Sequence, residues 1–399
     1  MKSQKIAKEQ PSAIFDTIIL MIEENLYQEL VEIRHYLHAH PEISEKEVET
    51  TKFIRQKLAD WQIEIMDSQL KTGLVAKIGS GKPIIALRAD IDALPILEET
   101  GLEFSSVNKG AMHACGHDLH MTSLLGAAKI LKEKESQFSG TIKLIFQPAE
   151  EIGEGAKEVL KTGLVSDVQA FIGYHNMPTL SAGVIGLREG GVMAAVERFE
   201  ILIRGQGSHA AYPQEGQDLI LASAAIVQNL QQIVSRNLSP LRAAVVSVTH
   251  IEAGNTWNVL PNNARLEGTI RTFDNEVRSL TKRRFSQIIE ATAKAYDVEL
   301  EIKWLMEADL TFNDFELTDV IRKRTEQWHD KVVYPEPSSA GEDFANYQKQ
   351  APSVFAFIGS NEQGASGLHF ADMVVQDETL KVAVDYYLES AHQLLEHFK

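Results

Sequence analysis

Nine consecutive residues, Met112-His113-Ala114-Cys115-Gly116-His117-Asp118-Leu119-His120, hold three of the chain's 13 histidines, its one cysteine and an aspartate. Thiolate and imidazole are strong ligands for zinc-like ions. A single histidine there would more often be structural, so the signal is the cluster. Cys115 and His117 are two apart and face one side of an extended or loop backbone. A helical pattern begins near Asp118. The pair therefore sits just before a helix N-terminus, where a thiolate is favoured electrostatically. A second segment, Gln147-Pro148-Ala149-Glu150-Glu151, directly follows a short apolar run. Adjacent carboxylates diverge from an extended backbone, so one can bind a metal while the other faces substrate as a general base. His175, in Gly173-Tyr174-His175-Asn176-Met177-Pro178, and His369, in Gly367-Leu368-His369-Phe370, are two further candidate ligands.

Such groups need a scaffold that gathers distant segments. Apolar residues recur at helical spacing over residues 15–39 and 44–61, the second with Ser44 and Glu47 at capping-box distance. Runs at 73–78, 83–89, 141–146 and 170–174 read as strands, and 155–161 as a helix. Alternating strands and helices predict an α/β layer with a mainly parallel sheet, whose sites lie at the carboxyl ends of strands. The middle changes character: strand 197–204, helix 216–235, strands 243–251 and 264–272, helix 275–295, strand 298–304. That β-α-β-β-α-β order is the signature of a ferredoxin-like α+β unit. Helix 315–328, strand 353–358 and helix 379–397 return to α/β character. The expected architecture is a discontinuous α/β catalytic domain, residues 1–187 and 307–399, interrupted by an inserted domain at 188–306.

Composition narrows the functional classes. With 39 Lys and Arg against 56 Asp and Glu, the 399-residue chain carries a net charge of −17. Nucleic acid and anionic membrane both attract clustered basic residues, so neither is an expected partner. One cysteine excludes an intrachain disulfide, and the cytoplasm is the expected compartment. Residues 13–22 are apolar but broken by Asp16 and Thr17, too short to span a bilayer and unlike a signal peptide.

Six motifs in order, RADIDALP (88–95), MHACGHDLH (112–120), QPAEE (147–151), GQGSHAAYP (205–213), NVLPNNARLEGTIRTF (258–273) and SAGEDF (339–344), span nearly the whole chain. Together they resemble the dinuclear metallohydrolases that include carboxypeptidase G and aminoacylases. Within these the match is to the branch of hippurate hydrolases, indole-acetyl-amino-acid hydrolases and N-acetyldiaminopimelate deacetylases. The resemblance implies two divalent ions, zinc or manganese, held by Cys115, His117, Glu151, His175 and His369, with Cys115 shared between them. It implies Glu150 as general base and an inserted domain that acts as lid or dimerisation surface. His209 would reach the neighbouring subunit's site and stabilise the oxyanion. Asn258 and Arg271 would help bind substrate, Arg271 through the free carboxylate of an N-acyl amino acid. Asp92, or its neighbour Asp90, would hold a ligand imidazole in its working tautomer. Asp90 stands where many relatives have a metal-binding histidine. Glu342 sits in a loop that lines the pocket and is assigned no role. The expected activity is hydrolysis of an N-acyl amino acid or a related small amide. The alternatives are a thiol hydrolase with Cys115 as nucleophile, or a non-catalytic metal-binding module.

Overall fold

The computed structural model describes residues 23–362 and 364–399. Residues 13–22, read above as no signal peptide, and the start of the first expected helix lie outside them. What is described of that helix runs Glu24–Ala39.

Among the described residues the large sheet has eight strands, in the spatial order Glu64–Ile65, Leu74–Ser80, Gly140–Gln147, Ile84–Asp90, Ala170–Ser181, Ser353–Asn361, Ile185–Gly186 and Val332–Val333. Its middle four strands are parallel neighbours, while the Leu74–Ser80 edge is antiparallel. A parallel sheet hides both faces under helices, so its strands read as continuous apolar runs, and every residue of Gly140–Gln147 is buried. Alternate residues point to opposite faces. Leu87, Ala89, Leu144 and Phe146 join the core beneath helices Glu24–Ala39, Val48–Asp60, His117–Glu133 and Thr379–His397. Ala86, Ile145 and Phe171 join the core on the other face, with Val159 and Tyr347. Pairing of Asp90 with Gln147 aligns the carboxyl ends of two central strands at one edge. His175 lies level with Phe357 on the next two.

The second sheet is wholly antiparallel, with strands Ala195–Arg204, Ala244–Ala253, Asn263–Thr272 and Glu299–Ala308 in the spatial order second, third, first, fourth. Helices Leu219–Leu230 and Asn275–Ala295 share a separate core with it, around Phe199, Ile201, Leu266 and Phe285. Asp218 and Asp274 cap these helices by accepting from two backbone N–H groups each. The first of them is shorter than the 216–235 pattern. It starts after Asp218, and a π-helical turn at Ile233–Asn237 follows it. The chain enters and leaves this unit through Gly190–Met193 and Thr311–Asn313, which pair antiparallel.

Ser44 and Glu47 do not form the expected capping box. The helix starts only at Val48, and Glu42 Oε2 accepts from Thr50 N–H at 2.8 Å instead. Ser44 Oγ donates to Asp92 (2.7 Å), and Glu47 Oε1 accepts from Ala149 N–H (2.8 Å). Buried polar groups in the site loops outcompete helix N–H groups that water can serve. Among the described residues no helix is long and apolar enough to cross a membrane.

Candidate metal centre

Each candidate ligand comes from a segment at the carboxyl edge of the parallel strands or packed against it. Cys115 and His117 flank Gly116, which caps the His117–Glu133 helix with φ 78°. A Cβ at Gly116 would stand 2.3 Å from the Asn176 amide, so only glycine lets this loop approach the strand Ala170–Ser181. Glu150 and Glu151 follow strand Gly140–Gln147, and His175 lies within Ala170–Ser181. His369 is delivered from the C-terminal segment, its N–H bonded to Ala114 O at 2.8 Å.

Five side chains form a ring. Cys115 Sγ stands 3.4 Å from His175 Nε2 and 3.3 Å from His369 Nε2. Glu151 reaches His369 Nε2 at 3.5 Å and His117 Nε2 at 3.9 Å. Possible donor atoms of Cys115, His117 and His175, and those of Cys115, Glu151 and His369, lie within 4.8 Å of one another. Glu150 stands between the ring and a second acidic group: it has an oxygen within 4.8 Å of His117 and Glu151 donor atoms, groups with Glu342 and Asp343 on its other side, and accepts from Asp343 N–H at 3.3 Å.

Tautomers follow from partners. His117 Nδ1 faces only acceptors, Asp92 O at 2.9 Å and Asp92 Oδ1 at 3.2 Å, so it donates and Nε2 points into the ring. His175 Nδ1 donates to Asn176 O at 2.7 Å, with the same result. His120 is spent on both sides: Nδ1 bonds Asp90 Oδ1 (2.6 Å) and Nε2 accepts from Asn176 N–H (2.9 Å). Asp92 also accepts from Glu151 N–H at 3.0 Å, which ties one ring carboxylate to the aspartate behind the other ring member.

Charge decides what the ring can hold. Asp90, Asp92, Glu150, Glu151, Glu342 and Asp343 crowd together, and one buried guanidinium, Arg88, faces Asp90 (2.7 Å), Glu342 (2.9 Å) and Asp343 (2.9 Å). Burial and the Glu342, Glu151 and Asp343 charges hold Glu150 well above the usual carboxylate range. Burial and the Glu151 and Glu150 charges push the Cys115 thiol up. Burial opposes a charge on His117, yet Asp90 and Asp92 beside it carry it up to about 10. A field that draws a proton onto His117 so strongly draws any cation. His117 Nε2 and Glu151 Oε1 are moreover buried without a hydrogen-bond partner while facing each other. Unpaired buried donors of this kind are costly unless an ion lies among them. The residues therefore fit divalent cations.

Three candidates stand apart. His209 is exposed on a two-residue strand, and its Nδ1 accepts from Ala211 N–H at 3.1 Å. Asn258 lies beside it, accepting from Ala210 N–H at 3.0 Å. Neither touches the ring. Arg271 is half-buried, its guanidinium 3.9 Å from where a Cβ on Gly341 would sit, next to Glu342. Sequence reasoning gave no separate weight to Arg88, although a basic residue inside the apolar strand Ile84–Asp90 was a legible sign. It also missed Gln147, which bonds Arg88 and Asp343, and Asp343 itself.

A family profile described as peptidase family M20/M25/M40 matches residues 86–393. The chain is 44% identical over 382 residues to an N-acetylcysteine deacetylase of Bacillus subtilis, covering 95% of this chain and 100% of that protein. It is 36% identical over 378 residues to the hippurate hydrolase of Campylobacter jejuni, covering 93% and 98%. Among solved structures, a dinuclear metal-binding peptidase of the M20 family from Bacillus subtilis superposes with a TM-score of 0.84 at 40% identity, covering 94% and 99%.

Proposed function

This chain belongs to the peptidase family M20/M25/M40 and is a hydrolase of amide bonds, and we propose that it removes the acyl group from small N-acyl amino acids. The observation that carries the reading is a second carboxylate at the rim of the ring. Glu151 joins Cys115, His117 and His369, while Glu150, with an oxygen within 4.8 Å of His117 and Glu151 donor atoms, faces the same centre from the Glu342 and Asp343 side. Cys115, His117, Glu151, His175 and His369 would hold two divalent ions, zinc or manganese, whose Lewis acidity would act on the amide carbonyl and the attacking water. The dinuclear neighbour supports that number.

The protein's own groups do the rest. Asp92 keeps the His117 ring oriented through Nδ1. Glu150 takes a proton from the attacking water as its oxygen bonds the carbonyl carbon, then returns that proton to nitrogen as the C–N bond breaks. Arg271 and Asn258 bind the substrate, Arg271 by its carboxylate. His209 stabilises the developing oxyanion from a second subunit, the inserted domain serving as dimerisation surface. The domain limits 1–187 with 307–399, and 188–306, belong to this proposal. So does a cytoplasmic setting, since a lone cysteine forms no intrachain disulfide and nothing argues for secretion. Family membership argues against a Cys115 nucleophile and a non-catalytic module.

Glu150→Gln tests the reading, since an amide of nearly the same shape cannot accept the proton. Hydrolysis of N-acetylcysteine and related N-acyl amino acids should fall by several orders of magnitude, with metal content unchanged. Near-normal turnover would sink it.

A further inference from the structure

Ala149 is the residue before the reacting carboxylates, and it sits in the left-handed region, φ 52°. Alanine disfavours that conformation because its Cβ crowds the carbonyl, so something must hold it. Its carbonyl accepts from Glu154 N–H (3.3 Å) and Gly155 N–H (3.1 Å), and its N–H donates to Glu47 Oε1 (2.8 Å). The left-handed turn sets how Glu150 and Glu151 leave the strand end, with an oxygen of each near His117.

Glu47 belongs to a turn at residues 42–47 that touches both site loops. Glu42 O accepts from Ala93 N–H at 2.9 Å, and Ile43 bridges Ala93, next to Asp92. Ser44 Oγ donates to Asp92 Oδ2 (2.7 Å), the oxygen that also accepts from Glu151 N–H. Glu47 is fully buried, and its Oε2 has no hydrogen-bond partner. A glutamate needed only to begin a helix would lie in water; burying one is costly and calls for a compensating role.

We infer that Glu47 and Ser44 are positioning residues of the centre: Glu47 fixes the Ala149 turn that aims Glu150 and Glu151, and Ser44 fixes Asp92 behind His117. The inference rests on the amidohydrolase reading, which Glu150→Gln tests independently.

Glu47→Ala should lower kcat about 10–100-fold with KM nearly unchanged, and weaken zinc binding of the chelator-stripped protein, by calorimetry, about 10-fold. Amide exchange at Ala149 should accelerate. Glu47→Gln keeps an oxygen acceptor and should stay near wild type. Adding Ala149→Gly to Glu47→Ala should restore most of kcat and zinc affinity, because glycine enters the left-handed turn without the Cβ penalty. Wild-type kcat and zinc affinity in Glu47→Ala, or a double variant no better than Glu47→Ala, overturns the role of Glu47. If Glu47→Ala does not fold, Ser44→Ala decides. A roughly 10-fold loss of zinc affinity at unchanged KM supports the turn's role, and unchanged zinc affinity overturns it. A dead Glu150→Gln beside unaffected turn variants would leave the function standing and remove only this inference.

Discussion

Cys115 is the side chain that separates a metal centre from a thiol chemistry, because its sulfur faces two imidazoles at 3.3–3.4 Å in either case. Sulfur can bridge two ions, and so can the two oxygens of a carboxylate. Cys115→Ala should therefore lose metal and rate together, whereas Cys115→Asp should keep substantial activity and remain sensitive to EDTA. Metal analysis beside turnover checks both. An inert Cys115→Asp together with chelator-resistant wild-type activity would remove the metal mechanism. At this scale the sequence made residue types legible but not partners. His117 and His120 look alike within MHACGHDLH, and only the bonds of His120 to Asp90 and Asn176 separate them. Ser44 and Glu47 had the spacing of a helix cap, and nothing local says that their partners lie 48 and 102 residues away.

The strand Ile84–Asp90 shows what an element contributes. Its apolar run seats it in the sheet, while Arg88, buried, binds Gln147, Asp90, Glu342 and Asp343, and thus ties its own strand, the end of Gly140–Gln147 and the 342–343 segment together at the carboxyl edge. Arg88→Met would leave three carboxylates uncompensated and should cost about 3–5 kcal/mol in denaturant unfolding; a cost below about 1 kcal/mol would show that the network is not structural. Beneath the His117–Glu133 helix, His38 bridges Asp118 (3.1 Å) and Glu98 (3.1 Å), with Arg34 on Asp118. Burial and Arg34 oppose its charge, but the two carboxylates raise His38 to about 9. A raised histidine stabilises fully below its unfolded value of about 6.5, and that stability is lost as pH rises through about 9. Stability should fall by up to about 3 kcal/mol between pH 6.5 and 9, read as a falling melting temperature, and His38→Gln should flatten that slope. An unchanged slope would refute the charged pair. Helices and long strands were legible because their periods repeat over many residues. The two-residue strands, such as Ile185–Gly186 and Val332–Val333, were not, since tertiary pairing alone defines them.

At the scale of the whole molecule the question is how His209 could act. It lies on the antiparallel unit, exposed, and its ring contacts are Ala211 and Tyr212, whereas every ring ligand comes from outside residues 195–308. It therefore needs either closure over its own site or a second subunit. The same unit exposes Tyr212, Ile220, Leu221, Ile251, Trp257 and Val259, Trp257 at 91%. Apolar surface of this kind favours an interface, which supports the dimer. His209→Ala should retain metal and lose about 10²–10³ in rate, the scale for one oxyanion donor. Mixing inactive His209→Ala with inactive Glu150→Gln under subunit exchange then distinguishes the two routes. In a mixed dimer, the site with intact Glu150 receives its histidine from the Glu150→Gln partner, so one of two sites works. Random exchange makes about half the dimers mixed, and activity should recover toward about a quarter of wild type by that arithmetic. If His209 instead closes over its own chain, each mixed dimer holds one site without histidine and one without base. Exchange, verified by mass, would then restore nothing, and the partner route would be wrong.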